Sequence, residues 1–433
     1  MENIENKIPN GENQDTQNSS FFSENVSSSN GLEAKLPYIK FSTSQWQQKN
    51  FSDLFTILSN NTHSRAELTN YGTIRNIHYG DVLIKFGNIL DTSQAEIPYL
   101  CENCKYKDEY MQDGDIIIAD TAEDYTAGKC TELFNVGTSK IISGLHTIPC
   151  RPKIKFAQKY LGYYTNSPAY RHQLLSLLQG IKVYSISKTN LSNTHVSYPP
   201  LPEQQKIADF LSLVDQRIEK QRQLVESLKK YKRGLVFHLF NKNNPINKSI
   251  PMRDLLTEIN DRNSVGLRVC SVAVIKGIVD QIEHLGRSFS ASDTSKYRRV
   301  HFGDVVYTKS PTGDFPFGIV KQSKIKEDVA VSPLYGVYKP SSYSTGNLLH
   351  LYFEQYQYAN NYIRSLAQKG AKNTINITTQ HFLEKNIIFP YNEVDRVYFS
   401  NFFEKLNKLI KFNEGELEKA QSLKKGLLQQ MFI

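Results

Sequence analysis

The stretch Leu201–Phe240 predicts one long helix, and it constrains the fold of this chain more than any other segment. Its proline-rich lead, residues 199–202, favours extended backbone followed by a helix start, and no further proline or glycine occurs before Gly234. A helix of about 37 residues at ~1.5 Å per residue spans roughly 55 Å. Because one globular core cannot cover such a helix on every side, we expect it to pair with another helix.

Apolar residues recur along this stretch with heptad spacing. The series comprises Ile207, Leu211, Val214, Ile218, Val225 and Leu228, with the polar Gln221 at one of its positions. Steps of four and three residues place these side chains in one stripe, as in a coiled coil. We therefore expect the helix to bury this stripe against its partner.

The partner helix is predicted in the same chain, 192 positions further on. At that offset the stripe aligns with Phe399, Phe403, Leu406, Ile410, Asn413, Leu417 and Ala420. The ends match as well, because Tyr231–Phe240 aligns with Leu423–Phe432 without a gap. A continuous register over about 35 residues indicates an internal repeat. The chain is predicted to be two copies of one unit, each ending in a long helix.

The composition fits several globular cores and no membrane span. Of the 433 residues, 39% are hydrophobic, and no apolar run reaches the ~18 residues that a membrane helix needs. The N-terminus lacks a signal-peptide pattern, which predicts a cytoplasmic location. A net charge of +9 fits a polyanionic partner, and an odd number of cysteines, five, predicts free thiols.

Ahead of each long helix the sequence predicts a β-rich body. Gly-Asp followed by apolar residues occurs at 80–84, 114–119 and 303–307, and we interpret each as a tight turn leading into a buried strand. These aspartates are assigned to turn chemistry and not to catalysis. Polar loops follow two of the strands, at 120–129 and 309–317.

Each body then changes to a helical pattern. Helices are expected within 154–164, 170–178 and 348–366, and a closing strand is expected to contain Ile186, Leu191 and Val196. A Gly-x-Lys sequence separates the helical part from the closing strand in both repeats, at 180–182 and at 370–372.

Sequence signals for an enzyme or a cofactor site are weak. The segment 126–131, TAGKCT, resembles the end of a phosphate-binding loop, but Glu123 stands where the first glycine is required. No glycine-rich loop after a strand suits S-adenosylmethionine, and no Asn-Pro-Pro-Tyr or Asp-Pro-Pro-Tyr tetrad would hold a target adenine. A four-thiolate zinc site would need Cys101, Cys104, Cys130 and Cys150. Their spacing is poor and the second repeat has no counterpart, so we expect no metal and no cofactor.

Several of these sequences together resemble the DNA-specificity subunit of type I restriction–modification systems. The likeness rests on PPLPEQQKIADFL from Pro199, on GDIIIADTAEDYTAGK from Gly114 and on the duplicated helix. The second helix departs from the family pattern, because Tyr391 to Asp395 (YNEVD) replaces the proline-rich lead. The resemblance covers about residues 37–433 and is strongest at 198–240.

This resemblance implies an α+β fold with two target-recognition domains and two long antiparallel coiled-coil helices, related by an internal pseudo-twofold repeat. The expected boundaries are a disordered leader at 1–35, the first recognition domain at 36–197, the first spacer helix at 198–242, the second recognition domain at 243–389 and the second spacer helix at 390–433.

The resemblance also implies a function and a set of partners. Each domain would read one half of a split site in double-stranded DNA, and the helices would set the spacing. The chain itself would be non-catalytic and would bind two modification (methyltransferase) subunits and then restriction/translocase subunits. The alternative is a protein-interaction scaffold without DNA binding, with two binding heads on a coiled coil.

Candidate DNA contacts are polar and basic residues in and near the loops after the Gly-Asp strands. In the first domain they are Thr121, Tyr125, Thr126, Lys129 and Lys140. In the second domain they are Arg299, Lys309, Ser310, Thr312 and Lys321. Each could equally be a solvated surface residue.

Gln221 and Asn413 are candidates for a register-setting pair. In two antiparallel helices with repeat symmetry, equivalent positions meet only at the midpoint, and residue 221 lies near the centre of 203–239. An amide pair at a heptad position fixes register at some cost in stability. Two independently exposed amides remain the alternative.

Overall fold

The computed structural model describes residues 46–287, 290, 293–366, 368–369 and 375–432, and the fold is α+β. Two β-rich bodies alternate along the chain with two long helices. The predicted leader at 1–35 and the Gly-x-Lys sequence at 370–372 lie outside the described residues. Within the described part, no helix is long and apolar enough to cross a membrane.

The first body is built from short strands and four short helices within its described residues. Its strands are β1 (Gln47–Asn50), β2 (Phe55–Ile57), β3 (Leu68–Thr69), β4 (Ile74–Ile77), β5 (Ile89–Asp91), β6 (Tyr99–Leu100), β7 (Ile116–Ala119), β8 (Thr121–Ala122), β9 (Cys130–Phe134), β10 (Lys140–Ser143), β11 (Thr147–Pro152), β12 (Tyr184–Ser185) and β13 (His195–Tyr198). Its helices are α1 (Phe51–Leu54), α2 (Tyr160–Tyr164), α3 (Pro168–Leu175) and α4 (Lys188–Ser192). Two sheets form, in the orders β2-β11-β7-β9-β5 and β10-β4-β6-β3.

The second body follows the first long helix, α5 (Leu201–Leu239), and precedes the second, α10 (Glu393–Met431). Its strands are β14 (Asn247–Pro251), β15 (Leu256–Glu258), β16 (Cys270–Ala273), β17 (Gly277–Asp280), β18 (Arg298–Val300), β19 (Val305–Tyr307), β20 (Val320–Gln322), β21 (Val329–Val331), β22 (Gly336–Pro340), β23 (Gln368–Lys369), β24 (Ile375–Asn376) and β25 (Asn386–Pro390). Its helices are α6 (Gln281–Leu285), α7 (Tyr343–Glu354), α8 (Tyr356–Ile363) and α9 (Thr379–Glu384). The central sheet has the order β15-β22-β19-β20.

Two of the three predicted Gly-Asp turns lead into buried strands, β7 and β19. In both turns the aspartate carboxylate accepts a backbone N–H from three residues earlier: Asp115 from Gln112, and Asp304 from His301, each at 2.8 Å. Gly114 and Gly303 have φ of 82° and 89°, a region that favours glycine. These contacts agree with turn chemistry as the role of the aspartates.

The third Gly-Asp prediction is wrong, because residues 81–85 form a π-helical turn and not a strand. The Phe86 N–H donates to the Asp81 carbonyl at 2.7 Å, which closes the wide turn. Strand β4 has already ended at Ile77, so the turn serves to bury Val82 in the body.

The helices differ from the predicted segments in their bounds: α2 begins later than predicted, α3 begins and ends earlier, and the segment predicted at 348–366 forms two helices, α7 and α8. Residues 154–159 are not helical, because the buried Glu132 carboxylate accepts the N–H groups of Lys159 and Gly162 at 2.6 and 2.8 Å and so fixes the start of α2. The predicted closing strand is also interrupted. Leu191 lies in α4, which Ser187 starts by accepting the N–H of Asn190 at 3.0 Å.

The cysteines differ from the prediction of free thiols. Cys101 and Cys104 form a disulfide, since the turn after β6 brings their Cα atoms to 5.4 Å, within the range for such a bond. Cys130, Cys150 and Cys270 are free and buried.

The two long helices repeat one another in their bounds. Each has 39 residues, or roughly 58 Å of helix, and each end of α10 lies 192 positions after the corresponding end of α5. A two-stranded ribbon precedes each helix: β1 pairs with β13 before α5, and β14 pairs with β25 before α10. The shared ribbon-then-helix pattern agrees with the internal repeat seen in the sequence.

The helices pack antiparallel, and each body holds the start of one helix and the end of the other. The first body buries Ile207 and Leu211 of α5 together with Met431 of α10. The second buries Phe403 of α10 together with Val236 of α5. The bodies therefore lie at opposite ends of the helix pair.

The two amides at the centre of the pair are in direct contact. The Gln221 amide nitrogen donates to the side-chain oxygen of Asn413 at 2.9 Å and to its backbone carbonyl at 3.0 Å. The Asn413 amide nitrogen donates to the Leu409 carbonyl at 2.8 Å, and Asn413 is only 8% exposed. The equivalent residues of the two repeats thus meet each other.

Replacing this amide pair tests its role in register. Gln221→Leu or Asn413→Leu alone should lower the free energy of unfolding by about 1–2 kcal/mol, because the remaining amide loses its partner. The double replacement should raise stability above the wild type and broaden the distances between spin labels on the two helices. Urea unfolding and spin-label distance distributions measure both effects.

Gln223→Leu on the exposed face of α5 is the matched control and should leave the label distances unchanged. A double variant that is less stable than the wild type would contradict a register role that costs stability.

Candidate DNA interface and its helical support

The loop after β7 presents an exposed aromatic side chain beside a second loop. Strand β8, which contains Thr121, pairs with β12, and the Tyr125 ring lies 4.6 Å from the Tyr184 ring between centroids. The Tyr125 side chain is 64% exposed. The predicted contact loop at 120–129 therefore shares one surface with residues 180–185.

Two charged side chains fix the position of this loop by hydrogen bonds to backbone carbonyls. The Arg171 guanidinium donates to the carbonyls of Ala127 and Tyr125 at 2.8 and 2.6 Å. The Lys129 ammonium donates to the carbonyls of Leu83 and Phe86 at 2.7 and 3.3 Å. Burial lowers the pKa of Lys129. Lys129, which the sequence suggested as a DNA contact, thus fixes the loop through its ammonium. Arg171 also fixes the loop, and no sequence pattern predicted that role.

The neighbouring loop adds side chains that the sequence analysis did not assign to DNA. Lys182 is exposed and Ile181 is 92% exposed, next to Tyr184. Gly180 makes the tight turn possible: its φ is 123°, and a Cβ there would meet the Val183 carbonyl oxygen at 1.8 Å. The Gly-x-Lys sequence was the available signal. We name residues 120–126 and 180–185 the first-body surface.

Thr126 and Lys140 differ in their relation to this surface. Thr126 belongs to it, and its N–H donates to the Asp124 carboxylate at 2.9 Å in a local turn. Lys140 is exposed at the start of β10. The other end of that strand leads to His146, whose Nδ1 lies 3.3 Å from the Asp120 carboxylate. The ammonium of Lys140 lies over the Tyr110 ring at 5.8 Å. The structure does not join Lys140 to the loop at 120–126.

The loop after β19 has a comparable position in the second body. Lys309 has a φ of 53° and is half-buried, and burial lowers its pKa. Ser310 is exposed, and the Thr312 hydroxyl donates to the Ser310 carbonyl at 3.1 Å. The predicted residues Lys309, Ser310 and Thr312 therefore lie together in one loop.

The remaining two second-body residues are engaged elsewhere. The Arg299 guanidinium donates to the Asp328 carboxylate at 2.8 Å, and the two residues flank the paired strands β18 and β21. Lys321 is 2% exposed, and its ammonium lies 3.8 Å from Glu354. A side chain this enclosed does not reach a DNA duplex, and we assign Lys321 a structural role.

The first body is attached to both long helices by polar contacts. The Gln204 side chain of α5 accepts the Ala157 N–H at 3.0 Å and donates to the Pro199 carbonyl at 2.8 Å. The Tyr163 hydroxyl donates to Asp215 of α5 at 2.9 Å, and Lys424 of α10 reaches the same carboxylate at 2.5 Å. These buried and half-buried contacts fix the body relative to the helix pair.

The second body has its own polar attachment. The Tyr343 hydroxyl donates to Glu404 of α10 at 2.7 Å, and Lys232 of α5 lies 2.8 Å from Glu354 of α7. His350, one turn before Glu354, accepts the Gln322 N–H on its Nδ1 at 3.0 Å and is 18% exposed. Both bodies are therefore joined to the two helices by charged and amide groups as well as by apolar packing.

Two β-rich heads on a shared antiparallel helix pair define a class of two-headed recognition proteins with a built-in spacer. Residues 43–230 match the family model for the Type I restriction modification DNA specificity domain.

Solved structures from type I restriction–modification systems have a similar fold. The chain is similar to the S subunit of a type I restriction–modification system from M. genitalium, with a TM-score of 0.54 and 12% identity, over 92% of this chain and 99% of that one. A chain described in terms of complex assembly and conformational transition of the type I R–M system gives a TM-score of 0.51 and 14% identity, over 91% and 99%. No sequence among the curated proteins matches.

The attachment of the second body predicts a loss of stability at acidic pH. Burial, reinforced by the nearby Lys321 ammonium, lowers the pKa of His350 from 6.5 to about 3. The unfolded chain binds a proton on this imidazole below pH 6.5 whereas the folded chain does not, so the free energy of unfolding falls as the pH drops through 6.5. Lys232 and Lys324 also face this imidazole and Glu354 opposes them.

Between pH 7 and pH 5 this single group should contribute a loss of about 2 kcal/mol. His350→Gln keeps an acceptor for the Gln322 N–H and should reduce that loss, as measured by urea unfolding at each pH. His172→Gln on the exposed face of α3 is the control. An unchanged pH dependence in His350→Gln would contradict this assignment.

Proposed function

We propose that the chain reads a bipartite site in double-stranded DNA, one body per half-site, and that the helix pair sets the distance between the halves. The observation that carries the proposal is the placement of two bodies at opposite ends of one antiparallel helix pair. The recognition surfaces would be the first-body surface and the second-body loop at 309–317. We further propose a cytoplasmic location.

The symmetry of the molecule supports this reading. A pseudo-twofold protein suits the pseudo-twofold geometry of a duplex, and a rigid spacer turns half-site separation into a geometric quantity. The helices span roughly 58 Å, which exceeds one DNA turn of about 34 Å. Two bodies at the helix ends could therefore meet separate stretches of groove.

The chemistry of the surfaces supports two kinds of contact. A net charge of +9 would attract phosphates in a salt-dependent way, and exposed Lys182 would contribute to that attraction. The hydroxyl of Tyr125 and the side chain of Thr126 carry hydrogen-bonding groups of the kind that read base edges. Lys309, Ser310 and Thr312 offer the equivalent chemistry in the second body.

The chain would act without catalysis of its own and would depend on two modification subunits for methyl transfer, with restriction/translocase subunits added to the complex. The exposed apolar side chains of the helices are the surface that we assign to the modification subunits. They include Leu213, Leu224 and Tyr231 on α5, and Leu409 and Phe412 on α10, between 44% and 65% exposed. Contiguous apolar patches on a protein surface commonly mark protein contacts.

DNA binding across a range of salt concentrations separates this proposal from the protein-interaction scaffold. In a mobility-shift titration with random duplex, the affinity should fall steeply with salt. For each tenfold rise in salt concentration, the logarithm of the association constant should fall by about 0.9 per phosphate contacted. Lys182→Ala should weaken binding to all sequences and reduce the slope by about 0.9. The matched control is Lys419→Ala on α10, which removes the same charge from a side chain 77% exposed. Binding that ignores salt, or that Lys419→Ala weakens equally, would favour the scaffold.

A heptad insertion tests the spacer directly. Seven residues added after Gln221 and seven before Asn413 lie opposite each other and lengthen the pair by about 10.5 Å. This equals about 3 base pairs of duplex, so methylation mapping with the modification subunit present should reveal the same half-sites about 3 base pairs further apart.

The control carries the insertion in α5 alone, which misaligns the helices and should lower stability. An unchanged gap in the double insertion would show that something other than helix length sets the spacing.

A further inference from the structure

A cluster of metal-binding side chains lies at one end of the β3–β6 ladder in the first body. Nitrogen, oxygen and sulfur atoms of His63, Glu67 and Cys104 all lie within 4.8 Å of one another. Cys101 is bonded to Cys104, and its N–H donates to the Glu67 carbonyl at 3.1 Å, which extends the ladder. Four residues that can each ligate a metal are thus held together by backbone pairing.

The orientation of His63 points to a cation at this place. Its Nε2 lies 2.9 Å from the Lys105 carbonyl oxygen, which can only accept a hydrogen bond, so Nε2 carries the proton. In the neutral ring Nδ1 then has a lone pair, and it faces the Glu67 carboxylate at 3.1 Å. Two electron-rich groups at this distance repel each other unless a proton or a metal ion lies between them. A backbone carbonyl on the far nitrogen is also the usual partner of a metal-bound histidine.

Hydrogen bonds also orient the Glu67 carboxylate. Its Oε2 accepts the backbone N–H and the hydroxyl of Ser64 at 2.8 and 2.9 Å, which leaves Oε1 directed at His63. The side chain of His63 is only 13% exposed, although that of Glu67 is 45% exposed.

We propose that the reduced first body binds one Zn²⁺ ion through His63 Nδ1, Glu67 Oε1 and the thiolates of Cys101 and Cys104. A thiol reductant supplies two electrons and two protons to the disulfide and is itself oxidised to a disulfide; a phosphine supplies the two electrons, and water supplies the protons and the oxygen of the phosphine oxide. Either route gives two thiols, and zinc binding then releases both protons. Nitrogen, oxygen and sulfur ligands at about 2.0–2.3 Å from zinc form a tetrahedron with ligands roughly 3.5 Å apart. The atoms of His63, Glu67 and Cys104 require only small movements to reach it, and the Cys101 sulfur, now bonded to that of Cys104, would turn toward them once the disulfide is reduced.

Such a site would fasten the first part of a segment without regular secondary structure. Residues 101–115, between β6 and β7, contain no helix or strand. Met111 is buried in the core of the body, and Tyr110 packs against a small cluster of Ile74, Leu100 and Ile142. The part nearer the cysteines is attached by polar contacts such as Lys107 N–H to the Asn61 side chain at 2.8 Å. Small cores often depend on a metal or a disulfide for stability, and this site would use the same two cysteines for either.

The structure also explains why cysteine spacing alone did not reveal this site. Cys130 and Cys150 are buried in the core beside Ile116 and Ile148, and burial raises the pKa of the Cys130 thiol to about 12. The remaining two ligands come from His63 and Glu67, nearly forty residues before the cysteine pair. A local turn and a strand pairing bring them together.

The full chain, reduced with a phosphine and dialysed against zinc sulfate, provides the test. Elemental analysis should find one zinc per chain, and cobalt(II) in its place should give a thiolate-to-cobalt charge-transfer band in the ultraviolet. Zinc should also protect Cys101 and Cys104 from alkylation in the unmodified protein, as read by peptide mass spectrometry. This last measurement needs no variant and therefore does not depend on a mutant that folds.

Cys104→Ser and His63→Gln should each weaken zinc binding more than about 100-fold, because loss of a ligand exceeds the 10–100-fold cost of losing an outer-shell partner. Cys270→Ala, which removes a buried cysteine of the second body, is the control and should keep one zinc per chain. Circular dichroism confirms that each variant is folded.

The proposal fails if the reduced wild-type chain holds no zinc, or if Cys101→Ser combined with Cys104→Ser retains it. Equal alkylation with and without zinc would also overturn it. The contact between His63 and Glu67 would then be an ion pair between a protonated imidazole and the carboxylate. None of these results bears on DNA binding, so the zinc site and the DNA function can fail separately.

Discussion

The antiparallel pairing of α5 with α10 is the constraint on which the rest of the molecule depends. Neither helix could stay extended over 39 residues alone, because each has an apolar stripe that is covered by the other helix and, at its ends, by the bodies. Antiparallel packing brings the C-terminal end of each helix back to the body that precedes the other. Each body thus includes a piece of both helices in its core, as Met431 in the first body and Val236 in the second illustrate.

This arrangement links the stability of the bodies to the geometry of recognition. Tyr163, Asp215 and Lys424 join the first body to both helices. The second body contacts α5 through Glu354 and Lys232, and it contacts α10 through Tyr343 and Glu404. A change in helix register would break these contacts at both ends simultaneously. The separation and relative rotation of the two recognition surfaces are therefore properties of the helix pair and not of flexible linkers.

Local backbone chemistry accounts for where the sequence predictions succeeded and failed. Turns at Gly114 and Gly303 were predictable because glycine and aspartate have defined roles within a few residues of each other. The same Gly-Asp pattern at residue 80 gave a π-helical turn, since the neighbouring strand had already ended. The contacts of Lys129 could not be predicted for a different reason: its ammonium reaches carbonyls more than forty residues away, which no local pattern encodes.

The sequence by itself determined the repeat, the two long helices and their pairing, because heptad spacing and a constant offset of 192 are properties of residue order. The antiparallel direction of the pair was implied only by the family resemblance. It also indicated Gln221 and Asn413, since only equivalent residues can meet at a twofold midpoint. The tertiary structure alone decided which side chains remain available. It enclosed Lys321, assigned Arg171 to hold a loop, and brought His63 and Glu67 to the Cys101–Cys104 turn. Long-range strand pairing and burial produce these outcomes, and neither is visible in a short stretch of sequence.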